Sequence, residues 1–483
     1  MKEYSKYPVR IALLLAMVVF VACNDWLTVP PANNLIKEKF WKKTDDVNGA
    51  LAATYNAMRD AHMNSLILGE CRADLVSFSG SVFSNYAQIA ESNISPTNGA
   101  VSWQAYYKAI NLANTLMHYN KEVHKLDKTF TKDIMDAVDA EALFIRSLAY
   151  FYLVRLWKDV PLVLEPSISD TTDLYLPKST EKVVLAQVIQ DLLKAKNMAY
   201  TTEFRGTDYF YGRANKFSIM ALLADVYLWN EQYQEAVNYC DSIINSGLYA
   251  LEDNNNFFKI YYPGNSPLEA IMEFQYDDRL EGQNSPIYDN LITTYGTTNC
   301  ALKTMKTNTL LNKQDARNFS GKSAIWKYRG KDQLGLIERT SSERDGNWII
   351  YRFADILLIK AEACIELGQL ETANTLIGET LLRAGMPYEQ VYDVKSLRTV
   401  LLDEKGREFL LEGKRWFDML RAAKRNKFQN KQIIIEMILS GADVKQQAIL
   451  KTKVYDTLSY YLPIAEHELI YNQNLVQNPY YDK

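Results

Sequence analysis

The chain has 483 residues, of which 48% are hydrophobic and 23% charged, so it can bury a large core and is too apolar to be disordered. Its 54 basic and 58 acidic side chains give a formal net charge of −4. The sequence contains no basic run, and this charge balance disfavours a nucleic-acid partner, which would need clustered lysine and arginine.

The N-terminal residues 1–22 have the arrangement of a signal peptide. Three basic residues precede an apolar run over 11–21, which is about half the roughly 20 residues needed to span a bilayer. Ala22 then precedes Cys23, and a small residue before a cysteine is the recognition feature of bacterial lipoproteins. We therefore predict that the chain is exported and that Cys23 carries a diacylglycerol. An ordinary secreted protein with an accidental cysteine is the alternative.

A short segment, 23–34 (CNDWLTVPPANN), connects the lipid site to the rest of the chain. It contains two prolines and no helical period, so it is predicted to be the lipid anchor and an extended tether. The remainder, 35–483, is predicted to be a single domain.

Apolar periodicity predicts a protein dominated by helices. Ala224 and Ala236 lie twelve residues apart across a short turn, and Ala361 and Ala373 repeat that spacing. Small residues at this spacing let two antiparallel helices approach closely, as in tetratricopeptide repeats. The predicted fold is therefore all-α, with a tetratricopeptide-like scaffold. Its repeat helices are predicted at about 45–61, 101–120, 132–157, 181–246 and 351–384, and a further helix at 401–422.

The region 248–348 differs in composition from the helical parts. It is rich in Asn, Gly, Tyr, Thr and Pro and contains short alternating runs at 270–276 and 325–328. This pattern predicts an inserted, loop-rich segment with short strands. Binding surfaces are often built from such loops on a rigid scaffold.

Eight stretches, from the cysteine to the C-terminus, carry a family resemblance. The chain resembles SusD/RagB-type outer-membrane lipoproteins of the Bacteroidetes. The matching stretches are CNDWLTVPP, FWKKTDDVNGALAATYNAM, WQAYYKAINLANTLM, DAEALFIRSLAYFYLVRLWKDVPLV, YGRANKFSIMALLADVYLWNEQYQEAV, YRFADILLIKAEACIELGQLETA, LLDEKGREFLLEGKRWFDMLR and YLPIAEHELIYNQNLVQNPYY.

The resemblance implies a nutrient-binding protein without enzymatic activity, and we predict no metal ligand and no cofactor, although the sequence leaves a bound metal ion open. It would be held in the outer membrane by its lipid and face the extracellular side. It would capture an oligosaccharide, or in some branches a peptide, and pass it to a SusC-like TonB-dependent transporter.

Family ligands lie on loops of the N-terminal part and of the middle region, so loop aromatics there are the candidate binding residues. Aromatic rings can lie against the apolar faces of sugars, and amides can bond the hydroxyls. The candidates are Phe78, Phe83, Asn85, Tyr86, Tyr261, Tyr262, Tyr288 and Tyr295, with Asn290 as a further hydrogen-bond partner.

Charged residues cluster in 407–418, where an acid pair for catalysis could also be imagined. Arg407 and Arg415 would hold the neighbouring carboxylates ionised, so structural ion pairing is the favoured interpretation. Cys240 and Cys364 fall within apolar helical stretches and are predicted to be buried hydrophobes, not disulfide partners.

A surface hydrolase is the enzymatic alternative. The sequence has four histidines and neither H-E-x-x-H nor G-x-S-x-G. The adjacent acids Asp277 and Asp278 could nominally act on a glycosidic bond, although acids in a turn are usually solvated. A third possibility is a repeat scaffold that binds only a protein partner.

Overall fold

The structure is a computed structural model. It describes residues 40–78, 85–168, 172–201, 211–261, 268–277, 279, 285, 300–302, 310–311, 314–317, 326–332, 336–340, 343, 345–440, 442 and 444–482. The predicted signal peptide, Cys23 and the tether lie outside these residues.

The described chain is mostly helical, which confirms the predicted fold class. The helices are α1 (Thr44–Glu70), α2 (Asn85–Ala90), α3 (Gln104–Leu126), α4 (Lys132–Trp157), α5 (Glu181–Met198), α6 (Lys216–Trp229), α7 (Tyr233–Ile244), α8 (Trp326–Arg329), α9 (Phe353–Glu366), α10 (Leu370–Arg383), α11 (Val394–Glu408), α12 (Arg415–Phe428), α13 (Gln432–Ser440), α14 (Val444–Val454) and α15 (Glu466–Tyr471).

Helix α4 lies at the centre of the N-terminal half. Thr131 begins it, because its hydroxyl accepts a hydrogen bond from the N–H of Ile134 at 3.4 Å. Every residue from Ala137 to Trp157 is buried, so this helix is enclosed on all sides by the rest of the protein. Helices α3 and α5 pack on it, and α1 packs on α3.

The two predicted repeat pairs are the hairpins α6–α7 and α9–α10. Ala224, Ala236, Ala361 and Ala373 are all fully buried. Helix α9 also packs against α7, so the two hairpins are neighbours although the middle region separates them in sequence. A tetratricopeptide-like arrangement of helix pairs follows from these contacts.

In the part of the chain that the structure describes, the strands are short and form three two-stranded antiparallel pairs: β1 (Val76–Phe78) with β5 (Cys300–Leu302), β2 (Val160–Pro161) with β3 (Lys178–Ser179), and β4 (Ala270–Phe274) with β6 (Trp348–Arg352). The alternating run at 270–276 therefore forms a strand, as predicted. The run at 325–328 instead contributes to the short helix α8.

The predicted single helix over 401–422 is wrong, because the chain breaks between α11 and α12. Leu411 and Gly413 have positive φ values of +65° and +76°, which an α-helix cannot accommodate. The free thiols Cys240 and Cys364 are buried, as predicted. Within the described residues, no helix combines the length and the apolar character required to cross a bilayer.

Candidate functional site

The pairing of β1 with β5 brings the N-terminal part into contact with the middle region. Phe78, the last residue of β1, lies opposite Cys300, the first residue of β5. Because the pair is antiparallel, β1 ends and β5 begins at the same end of this small sheet. In the sequence, the candidates Phe83 and Tyr295 are each five residues from this junction, and both lie outside the described residues.

Helix α2 packs against β1 and carries two further candidates. The Asn85 side chain is exposed, and the Tyr86 ring is half-buried against the core. Burial raises the pKa of Tyr86, so its hydroxyl is neutral. We define the β1–β5 junction together with α2 as the junction face.

Two buried polar side chains hold the junction face in place. Asn98 donates from Nδ2 to the carbonyl of Asn85 at 2.9 Å and to Oε1 of Gln88 at 2.8 Å. Asp74, two residues before β1, accepts from Arg415 Nε at 2.8 Å and Nη2 at 3.1 Å. Sequence reasoning missed both supports, because their partners are distant in sequence.

The structure contradicts the expectation that Tyr261 is an exposed loop aromatic. Its side chain is 1% exposed, and its hydroxyl donates to Glu412 Oε1 at 3.0 Å. The Tyr328 ring lies 4.7 Å from it and Lys327 Nζ lies 4.9 Å from its centroid. A ring enclosed in this way cannot stack on a sugar. The polar composition of KIYYPGNSP misled the prediction, since the first tyrosine ends a 3₁₀ helix, Asn254–Tyr261, that packs inward.

Several other candidates lie outside the described residues. These are Phe83, Tyr262, Tyr288, Asn290 and Tyr295, together with the side chain of Phe78. Their role in ligand binding therefore stays a prediction.

The charged cluster around 407–418 is a buried ion-pair network, as predicted. Arg352 is fully buried and lies within 2.5 Å of Glu269, 2.6 Å of Glu408 and 2.9 Å of Glu412. Burial alone would raise the pKa of Glu412, but Arg352 and Lys327 outweigh it and hold this pKa well below its usual range. The sequence pattern indicated ion pairs between neighbours within 407–418. These are only part of the network, because most of its ion pairs join side chains from distant parts of the chain.

Of the two acids named for the hydrolase alternative, Asp277 lies within the described residues and Asp278 lies outside them. Arg279 donates two hydrogen bonds of 2.8 Å to the Asp277 carboxylate, one from Nε and one from Nη2, so these two side chains form an ion pair. No group of histidines, cysteines and acids in the described chain could hold a metal ion. A cavity of about 40 Å³ beside Arg155, Asp225 and Asp355 is too small for a sugar.

The fold thus defines a class: a protein built on a scaffold of helical repeats, with a few short strands. Two family models agree with this. The SusD family model matches residues 248–481, and a model described as "starch-binding associating with outer membrane" matches residues 25–228. The chain belongs to the SusD/RagB family, a glycan-binding family associated with the outer membrane.

Relatives and solved structures are similar over most of their length. SusD-like protein P38 of Formosa agariphila is 26% identical over 88% of this chain and 93% of its own. A SusD superfamily protein from Bacteroides vulgatus has the same fold, with a TM-score of 0.76 and 21% identity over 91% of this chain and all of its own. A laminarin-binding SusD-like protein gives a TM-score of 0.72, also at 21% identity, over 91% of this chain and all of its own.

Proposed function

We propose that this protein is a cell-surface lipoprotein that captures an oligosaccharide and delivers it to a SusC-like TonB-dependent transporter. Lipid on Cys23 would hold it at the outer membrane, with the folded body on the extracellular side. Membership of a glycan-binding family supports the ligand class, and the signal sequence supports the anchor.

The observation that carries this proposal is the β1–β5 pairing. It brings β1 of the N-terminal part together with β5 of the middle region, next to α2, which carries Tyr86. Loops that converge from two parts of the chain can form one aromatic platform, whereas isolated rings could not.

Recognition at the junction face would rest on stacking and hydrogen bonding. Aromatic rings contact the apolar faces of pyranose rings, and neutral groups such as the Asn85 amide and the Tyr86 hydroxyl bond the sugar hydroxyls. Release to a transporter requires no bond to be made or broken, so the proposal needs neither a catalytic residue nor a cofactor.

The first experiment is a binding screen of the soluble chain from Asn24 onward, by affinity electrophoresis through a panel of polysaccharides. Laminarin belongs in the panel, because a protein of similar fold binds it. We expect retardation by one class of glycan, followed by a saturable isotherm with its oligosaccharides. Failure with every glycan would contradict the proposal and favour a peptide ligand, which the same assay with a peptide mixture would detect.

A triple variant separates the loop aromatics from the rest of the protein. Phe83→Ala, Tyr288→Ala and Tyr295→Ala together should abolish retardation while leaving the melting temperature nearly unchanged. Tyr392→Ala is the matched control, since this ring is 60% exposed and is not part of the junction face as defined above. Release of reducing sugar from the bound glycan by the purified wild-type protein would favour the hydrolase alternative.

The anchor and the transporter are tested separately. Cys23→Ser should move the protein from the membrane fraction to the soluble fraction without changing its glycan affinity. Copurification of the lipidated protein with an outer-membrane barrel would support the delivery step, and a failure to copurify under mild detergent would count against it.

A further inference from the structure

Five large apolar side chains lie exposed on two segments that are far apart in the sequence. The first segment, 172–177, precedes β3, and the second, 466–476, comprises α15 and the residues that follow it. Each side chain belongs to a residue that is between 57% and 74% exposed, and the residues are Leu174, Tyr175, Ile470, Tyr471 and Val476. We define this surface as the α15 patch.

Two asparagine side chains hold the two segments together. Asn472 donates from Nδ2 to the carbonyl of Leu176 at 3.0 Å, and Asn474 donates from Nδ2 to the carbonyl of Tyr175 at 2.6 Å. Each bond joins residues that are almost 300 positions apart, with separations of 296 and 299. The exposed apolar side chains therefore belong to one surface of the folded protein and not to two unrelated loops.

The α15 patch borders the junction face. The N–H of Glu466, the first residue of α15, donates to the carbonyl of Pro96 at 3.0 Å. Two residues further on, the side chain of Asn98 donates to the carbonyl of Asn85, the first residue of α2. The short stretch 91–98 thus connects the end of α2 to α15. A molecule that docks on the patch would lie beside the junction face.

The chemistry of the α15 patch suits a protein surface better than a sugar. Its two tyrosines alone expose on the order of 250 Å², and apolar patches of this kind mark contacts with proteins, membranes or ligands. A sugar site needs aromatic rings and available polar groups, whereas three of the five side chains here are aliphatic. The Asn472 and Asn474 amides already donate to backbone carbonyls.

The charges beside the patch restrict the partner further. The two segments contain three acids, Asp173, Glu466 and Glu468, and no lysine or arginine, while Lys178, which follows the first segment, is half-buried in β3. Phosphate groups of a lipid surface would be repelled by this acidic border. In a symmetric pair of this chain the two acidic borders would come together. A partner whose apolar face is bordered by basic side chains is complementary to the patch.

Delivery of a captured glycan requires the receiving transporter to contact this protein next to the glycan. We propose that the α15 patch is the docking surface for the transporter, and that it binds an apolar, basic-bordered face of that outer-membrane protein. This inference rests on the proposed function and adds to it the surface at which delivery takes place.

Copurification of the tagged, lipidated protein from its own outer membrane tests the docking surface. The double variant Tyr175→Asp with Ile470→Asp places one charge on each segment. It should lower the amount of copurified barrel by about tenfold or more, because two carboxylates would be buried against an apolar face. The matched control is Tyr392→Asp with Ile449→Asp, the same residue types at 60% exposure outside the patch, and it should retain the barrel. Since all four residues are exposed, every soluble form should keep its Tm within about 2 °C.

The same preparations distinguish this inference from the proposed function. A wild-type protein that copurifies no barrel would reject the delivery step and the docking surface together. If the wild type copurifies the barrel, equal recovery with the patch variant, or an equal loss with the control, would reject the docking surface alone. Loss of glycan retardation in the soluble patch variant would make the patch a glycan site instead.

Crosslinking in isolated outer membranes gives a second readout. Tyr471→Cys is labelled with a benzophenone maleimide and irradiated, and Tyr392→Cys is treated in the same way as the control. We expect a peptide of the barrel attached at position 471 and none at position 392. An adduct with a second copy of this chain, or no adduct at position 471, would contradict the docking surface.

Discussion

Glu70 accepts a hydrogen bond at Oε1 from the backbone N–H of Gly413 at 2.8 Å. This contact joins the last residue of α1 to the turn between α11 and α12. The backbones are so close that a Cβ placed on Gly69 would lie 2.0 Å from the Gly413 carbonyl oxygen. The turn also carries Glu412, whose carboxylate bonds Arg352, so the close approach connects α1 to the buried network.

Because of this close approach, replacing Gly69 or Gly49 of α1 with alanine should have very different effects on the free energy of unfolding. Gly69→Ala should lower the free energy of unfolding by about 3 kcal/mol, because backbone atoms must move apart. Gly49→Ala is the matched control, since nothing lies within 4 Å of its added Cβ. It should raise stability by about 1 kcal/mol, the helix propensity gain of alanine. Urea titrations of both variants provide the measurement, and equal effects would contradict the close contact between α1 and the turn.

The backbone conformation in the turns of the two repeat hairpins leads to a second prediction about stability. In each turn a backbone N–H bonds the carbonyl five residues earlier: Gln232 to Tyr227 at 2.9 Å, and Gln369 to Cys364 at 2.8 Å. The residue before each donor has a positive φ, +60° at Glu231 and +76° at Gly368.

A residue with a side chain destabilises the folded state by about 1 kcal/mol at such a positive φ. Substitutions at positions 231 and 368 should therefore change the stability in opposite directions. Glu231→Gly should stabilise the protein and Gly368→Ala should destabilise it, each by about 1 kcal/mol. Thermal or urea unfolding would measure both, and the space around Gly368 is open, which removes a steric contribution. A stabilising Gly368→Ala would show that the turn changes conformation.

Sequence patterns predict the features that local chemistry controls. The prediction of a helix at 132–157 is confirmed by α4, because a capping threonine and a high content of apolar residues are both visible in the sequence. The break at 411–413 was missed, since it depends on Glu70 and other distant partners. The β1–β5 pair was also missed, because strands of three residues have no recognisable period.

Buried and exposed ion pairs should differ strongly in their effect on stability. Arg352→Met would leave Glu269, Glu408 and Glu412 buried without their shared cation, so we expect a loss of about 4 kcal/mol or failure to fold. Arg279→Met is the control, since Arg279 is 85% exposed in its pair with Asp277 and should change stability by less than about 1 kcal/mol. Comparable losses in the two variants would contradict the network as described.

The buried carboxyl group of Glu273 should make the stability of the folded protein depend on pH. Burial raises its pKa to about 7, although hydrogen bonds from Gln275 and Asn347 oppose the shift. The folded state then binds the proton more tightly than the unfolded state, whose pKa is about 4.5. The Glu273 contribution to stability is therefore full below about pH 4.5 and declines as the pH rises to about 7.

Glu273→Gln removes this titration while keeping the shape of the side chain. The stability of the variant relative to wild type should increase between about pH 4.5 and about pH 7.5, by up to about 3 kcal/mol. Near pH 4 both side chains are neutral, so the two proteins should be nearly equal there, which serves as an internal control. A difference that does not change with pH would mean that Glu273 is not the buried acid described.

Tyr86 offers a test of the junction face on a side chain that the structure describes. Tyr86→Ala should weaken binding of the glycan found in the screen by about fivefold, which corresponds to losing about 1 kcal/mol of stacking. Because the ring is half-buried against the core, the variant should also lose some stability, so binding is measured well below its Tm. Tyr86→Phe keeps the ring and should retain most of the affinity, while Tyr392→Ala should retain all of it. Full affinity in Tyr86→Ala would move the ligand away from α2, towards the segments that carry Tyr288 and Tyr295.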